Sequence, residues 1–302
     1  MREMKKYVIS LSILMMLLTG CASEFNRVYK TTDNDYKYEF AKECFARGKF
    51  TLAITLLQEL VTIQKGTDNA QECLYMLAMA EYCDRDYESA SETFKKYYKT
   101  YPKGIYAEQA AFYIGQSLYQ STPEPRLDQT STVNAISAYQ DFLDFFPESQ
   151  LKEKATSRMF ELTDKLVFKE YLSAKLYFNL GDYFGNCLEG GSNYEACIVT
   201  SENALKTYPF TSMREKFAVL IMKSKYELAR QSVEDKKVDR YRDAEDECYG
   251  FINEYPESEE RKTAEKYIMR CKEITKDQGL GNAVRRSQLG NEVRRSQLEI
   301  RN

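Results

Sequence analysis

The feature that most constrains this chain is an interval. Four aromatic-proline dipeptides occur, Tyr101-Pro102, Phe146-Pro147, Tyr208-Pro209 and Tyr255-Pro256. Each proline lies 15 residues after the start of an apolar pattern, at Tyr87, Thr132, Tyr194 and Tyr241. In the clearest copy Tyr87, Ala90, Phe94, Tyr97 and Tyr101 are spaced three and four apart, which puts them on one side of a helix. Proline stops that helix because it lacks an N–H and biases the residue before it away from helical geometry. An earlier copy runs through Phe50, Ala53, Ile54, Leu57, Leu60 and Val61, with Lys65 where the proline would stand. A preceding helical face accompanies the pattern, as Leu74, Leu77, Ala78 and Tyr82 do ahead of the turn Asp84-Arg85-Asp86. A fixed register of helix pairs predicts an all-α solenoid of about five pairs plus a C-terminal capping helix.

Taken in order, the first pair is expected over Tyr36 to Arg47 and Phe50 to Gln64, turning at Gly48-Lys49. The third begins near Tyr106 and is broken by Ser121-Thr122-Pro123-Glu124-Pro125 before a loop and N-cap over Asp128 to Thr132. Leu151 to Phe184 reads as a long helix that closes the third pair and opens the fourth through Ala174, Tyr177, Phe178 and Gly181. Phe184 to Asn193 is Gly-rich and reads as an insertion. The fifth pair is Ser212 to Val233 and Val238 to Tyr255, and Glu259 to Lys276 is the cap. The expected divisions are thus 36–170 for the first three pairs and 171–276 for the rest.

The two ends differ from the array. Arg2, Lys5 and Lys6 precede an uncharged run from Tyr7 to Leu18, too short to span a bilayer and fitting a signal peptide over 1–20. It ends in Leu18-Thr19-Gly20-Cys21, which resembles the bacterial lipobox. That resemblance implies cleavage before Cys21 and lipidation of it, with the acyl chains holding the protein on a membrane. Ala22 and Ser23 follow with no aspartate, which by likeness to the enterobacterial sorting pattern implies the outer membrane. Residues 21–35 then form a polar lead. At the other end Val284 to Leu289 recurs verbatim as Val293 to Leu298, so 277–302 reads as a low-complexity, basic and disordered tail.

Composition removes several functions. There is no histidine, hence neither the commonest general base nor the commonest metal ligand. Lys plus Arg (43) nearly balance Asp plus Glu (46), so no nucleic-acid footprint is present. No nucleophile elbow, phosphate loop or metal-ligand cluster occurs, and Asp84 and Asp86 read as solvated turn charges. The expectation is no enzyme, no catalytic residues, no cofactor and no metal. Beyond Cys21 there are seven cysteines, an odd number, most on apolar helix faces and expected as buried thiols. Cys187 and Cys197 bracket the Gly-rich insertion and are the pair to check.

The pairs resemble the tetratricopeptide repeat. Its Leu-Gly dipeptide appears as Ile114-Gly115 and, relaxed, as Leu77-Ala78; its Gly-x-aromatic turn appears as Gly48-Lys49-Phe50. The lipobox, Gly48 to Ile54, Asp128 to Thr130, and aromatic-Pro-Glu-Ser at Phe146 to Ser149 and Tyr255 to Ser258 follow in the order of the BamD family of outer-membrane β-barrel assembly lipoproteins. The long helix bearing Lys169-Glu170-Tyr171 fits as well, and the resemblance covers about residues 18 to 276. The insertion departs from the family, and Thr200 stands about where family members can carry a docking arginine. The resemblance implies a lipoprotein at the outer membrane, most simply on its periplasmic face. Its partners would be a BamA-type barrel-assembly protein and unfolded outer-membrane proteins. In such repeats the first helix of each pair lines a groove. That assigns peptide binding to Tyr38, Phe45, Tyr75, Met79, Tyr82, Phe112, Gln116 and Tyr119. The competing reading is another periplasmic repeat lipoprotein acting as an adaptor in secretion, pilus or envelope assembly.

Overall fold

The computed structural model describes residues 24–181, 183 and 192–276. Cys21, Cys187, most of the insertion and the 277–302 tail lie outside the described residues. All secondary structure among the described residues is helical. A short α1 over 24–29 precedes α2 (Asn34–Ala46), α3 (Phe50–Ile63), α4 (Ala70–Cys83), α5 (Tyr87–Thr100), α6 (Ala107–Gln120) and α7 (Thr130–Phe145). Then come α8 (Lys152–Asn179), α9 (Asn193–Thr207), α10 (Arg214–Arg230), α11 (Glu234–Glu254) and α12 over 261–276. The pairs are α2/α3, α4/α5, α6/α7, α8/α9 and α10/α11, with α12 as the cap. The fold is therefore the all-α, tetratricopeptide-type array that the periodicity predicts.

The turns explain why the register holds. Tyr101, Phe146, Tyr208 and Tyr255 end α5, α7, α9 and α11 with φ between −128 and −123° and ψ between 60 and 68°. Each still donates its N–H to the carbonyl four residues back, at 2.8–2.9 Å. The proline that follows forbids the next helical step. The chain then turns: the N–H of Gly104, Ser149, Thr211 and Ser258 returns to the carbonyl of the terminal aromatic at 2.9–3.2 Å. Ser149, Thr211 and Ser258 also accept from the N–H two residues on, which starts the next first helix. Three of the aromatics settle on the ring one turn back: Tyr101 on Tyr97, Phe146 on Phe142 and Tyr255 on Phe251, at 5.3–5.7 Å.

Within a pair the tight turn needs one left-handed residue. Gly48 supplies it between α2 and α3, with φ 72°. Arg85 stands at the same place between α4 and α5, with φ 68°. In both turns the next residue donates to a carbonyl five back, Lys49 to Cys44 and Asp86 to Glu81, at 2.8 and 3.0 Å. Arginine has a Cβ that crowds this conformation, so the second turn carries strain that the first avoids.

The lead departs from expectation. It is not only a tether: Phe25 in α1 packs on the first core and Val28 is fully buried. Asp33 caps α2 by accepting the N–H of Tyr36, so the helix begins at Asn34 rather than at Tyr36. Lys37 is buried and donates to both carboxylate oxygens of Glu59 on α3 at 2.9 and 3.0 Å.

The chain divides into two compact units between Thr163 and Asp164, inside α8 and ahead of residue 170. In the first unit Ala155 and Leu162 of α8 join Ala111, Phe112, Tyr139 and Phe142. In the second, Val167 and Ala174 of α8 join Cys197, Ala204, Phe217 and Leu220. The long helix thus has the two roles its sequence suggests. Of the described cysteines, Cys44, Cys73, Cys197, Cys248 and Cys271 are buried thiols and Cys83 is exposed. Burial pushes Cys73, Cys248 and Cys271 up to about 12.

Gly115 shows how closely a pair is joined. A Cβ there would come within 2.8 Å of the Tyr139 ring. Tyr139 is fully buried and its hydroxyl donates to Gln116 at 2.9 Å, so the ring cannot step aside. Gly115→Ala is therefore expected to lower stability by about 1–3 kcal/mol. Arg85→Gly should act oppositely and raise stability by about 1 kcal/mol, by removing left-handed strain. Thermal and denaturant unfolding of the two variants check both signs.

Candidate peptide-binding surfaces

The eight residues assigned to the groove separate into two groups. Tyr38, Phe112 and Gln116 are only 2–4% exposed and belong to the core, which corrects their assignment to an open wall. Tyr38 packs among Ala41, Leu56 and Leu60, and burial and the neighbouring Glu72 carboxylate push its hydroxyl pKa upward. The Phe112 ring lies 5.6–5.8 Å from those of Tyr139 and Phe142, and Gln116 accepts the Tyr139 hydroxyl. The cause is geometric. A first helix packs on its own partner and on the neighbouring pair, so most of its circumference is interior.

Phe45, Tyr75, Met79, Tyr82 and Tyr119 are half-buried. Phe45 meets Phe50 edge-on at 5.6 Å. Tyr75 stacks on Tyr106 at 4.4 Å and meets Phe94 and Tyr97 edge-on. Tyr82 meets Tyr113 of the next pair at 5.1 Å, and Tyr113 stacks on Phe94. These rings join consecutive pairs while leaving part of their surface open. Met79 packs against the same core cluster.

Tyr119 is built differently. Its hydroxyl donates to Glu161 Oε2 at 2.6 Å and accepts from Arg158 Nη1 at 2.8 Å. Arg158 also bonds Glu161 at 2.7 Å and lies over the Tyr119 ring at 4.4 Å. The hydrogen bond from Tyr119, and then those from Arg158, hold the Glu161 carboxyl below its usual range. The sequence does not single out Arg158 and Glu161. Their only signal is Arg-x-x-Glu at helical spacing, a pattern shared with solvated surface pairs. Together Tyr82, Tyr113, Tyr119, Arg158 and Glu161 give the first unit rings with polar tips and one preset guanidinium. That combination suits contact with peptide groups and side chains.

The second unit carries a cleft of ≈ 760 Å³ between residues 171–179 of α8, α10 and the turn 255–260. No group of three or more Cys, Asp or Glu that would hold a metal occurs among the described residues. Nor is any described helix long and apolar enough to cross a membrane.

Fold and surface together define a class: a tetratricopeptide-type array with ring-bearing first helices. The sequence profile of YfiO, described as an outer membrane lipoprotein, matches residues 30–187, just over half of the chain. The chain belongs to this family of outer membrane lipoproteins. It is similar to the putative outer membrane protein assembly factor BamD of Aquifex aeolicus, at 27% identity over 223 residues, 74% of this chain and 67% of that protein. It is also similar to the outer membrane protein assembly factor BamD of Caulobacter vibrioides, at 22% identity, covering 54% of this chain and 55% of that protein. Among solved structures the TPR2AB-domain:pHSP90-complex of yeast Sti1 has a TM-score of 0.36 at 13% identity, covering 79% of this chain and 98% of that one.

The network makes a titration prediction. Glu161 ionises below the ordinary 4.5 in the folded chain, so its contribution to stability is full above that value. The contribution is lost as pH falls through the lower folded value. Tyr119→Phe removes the main donor and should move the Glu161 pKa back up, which a carboxyl NMR titration reads directly.

Proposed function

We propose that the chain is a non-catalytic, lipid-anchored scaffold of the machinery that assembles β-barrel proteins in the outer membrane. The observation that carries this reading is family membership over residues 30–187, with relatives named as outer membrane protein assembly factors. Cys21 holds the array at the membrane through its acyl chains, on the periplasmic face. The open edges of Tyr75, Tyr82 and Tyr119, with Arg158 beside them, take up segments of unfolded barrel proteins. Tyrosine supplies apolar area at low entropic cost and keeps a hydroxyl for peptide groups, which suits extended, sequence-diverse ligands. Residues 164–276 dock a BamA-type barrel-assembly protein.

The test is a pull-down of the lipidated protein from its own membranes in mild detergent, with partners identified by mass spectrometry. A large β-barrel protein with periplasmic repeat domains is the expected partner. Recovery of secretion, pilus or cell-wall components without such a protein would instead assign the array to an adaptor role in those systems.

A further inference from the structure

The link between the lipid-bearing cysteine and the array is much shorter than the lead of residues 21–35. Within that lead, α1 over 24–29 is already part of the packed array. Val28 is fully buried and Phe25 packs on the first core, so α1 does not swing as a leash. Three peptide links remain from Cys21 to Glu24, a reach of about 11 Å when fully extended. The headgroup layer of a bilayer is itself about 5–8 Å deep. On the reading proposed above, acyl chains hold Cys21 at the inner edge of that layer. Glu24 then stands at the lipid surface or a few ångströms above it.

The surface within reach of the bilayer carries rings. Tyr29, at the end of α1, is 47% exposed, and Tyr36, in the first turn of α2, is 41% exposed. Printed in the packing are the contacts that hold them. Tyr29 stacks on Phe25 at 6.0 Å. The Arg27 guanidinium donates to the Tyr36 hydroxyl at 3.3 Å, which ties α2 to α1. Lys37, next to Tyr36 in the chain, has its Nζ 5.9 Å from the centre of the Tyr29 ring. Charge does not select a ligand here, because exposed Arg27 and Lys30 are mixed with exposed Glu24, Asp33 and Asp35. The tyrosines do, because a ring with a polar tip is best placed where an apolar layer meets water.

We propose that the first pair rests directly on the phospholipid surface, with Tyr29 and Tyr36 seated among the headgroups. Two tyrosines alone would not hold a protein on a membrane. The short link to Cys21 keeps them at high effective concentration beside it, so a weak contact suffices. The acyl chains fix where the array stands, and the two rings fix how it is turned.

The test exploits the absence of tryptophan from the chain. Tyr29→Trp and Tyr36→Trp each give the full lipidated protein a single reporter, and Leu127→Trp gives a control. Leu127 is exposed and lies between α6 and α7, at the helix ends opposite to the start of α2. A first helix such as α6 is about 21 Å long. Each protein is reconstituted into phosphatidylethanolamine–phosphatidylglycerol vesicles, with and without lipid brominated close to its headgroup, and flotation is measured on the same samples. All three proteins should float. Emission at positions 29 and 36 should shift to shorter wavelength and be largely quenched by the brominated lipid, while emission at 127 is unchanged. Tyr29→Asp in the Tyr36→Trp protein should restore most of the lost emission without lowering flotation or Tm, because a carboxylate is disfavoured where the ring was seated. Added salt should leave the quenching unchanged, since opposite charges are mixed at the surface. Flotation without quenching at 29 and 36, or quenching that survives Tyr29→Asp, overturns the seating and leaves the lipid anchor standing. Failure to float overturns the anchor and the seating together.

Discussion

The array depends on one local constraint, the forced end of the second helix in each pair after the first. An aromatic residue followed by proline is barred from the helical step, yet its own N–H still closes the last turn. Each such helix therefore ends at the same phase, and in three of the four the aromatic folds back on the ring one turn earlier. In three of the four the polar residue two positions after the proline then starts the next helix, and after Pro102 that place is taken by Gly104. Since a pair can bury its apolar face only on its neighbours, a slip of one residue at any of these ends would turn a ring out of the core and propagate. The first pair lacks the proline, and there Gly66 with φ 84° turns the chain instead.

Strict spacing made the fold legible. The 15-residue interval is a property of covalent sequence, and it fixes which face of each second helix is inside. Helix ends were readable to within a few residues because prolines, glycines and Asp caps act locally. The surface was harder to read. Tyr38, Phe112 and Gln116 share residue types and spacing with Tyr75, Tyr82 and Tyr119, but the first group is sealed by the next helix. Periodicity says that a residue faces protein; it does not say whether that protein is a neighbouring helix or an absent ligand. Arg158 and Glu161 were invisible for a related reason. Their meaning comes from Tyr119, 39 residues away in the case of Arg158.

The two units use their first helices differently. In residues 24–163 the open chemistry is aromatic, and the Arg158 guanidinium beside it is already tied to Tyr119 and Glu161. In residues 164–276 the cleft mixes lysines and glutamates over an apolar floor. A surface of satisfied rings tolerates many sequences, because stacking and van der Waals contact make few demands on the ligand. A surface of mixed charge discriminates, because it rewards one arrangement of charges and penalises the rest. One chain can thus combine a permissive face with a selective one.

The buried thiols have a consequence for the chain's biogenesis. On the reading proposed above, it crosses the inner membrane unfolded and folds where disulfides form readily. While extended, Cys73, Cys248 and Cys271 would carry ordinary thiol acidity and face oxidants directly. Once packed, they are shut away from solvent and their thiolates are suppressed. Native packing is then what protects these three thiols against mispairing. The speed of its collapse is in competition with oxidation: a variant that folds slowly would be lost to wrong disulfides even if its finished structure were as stable as the parent's.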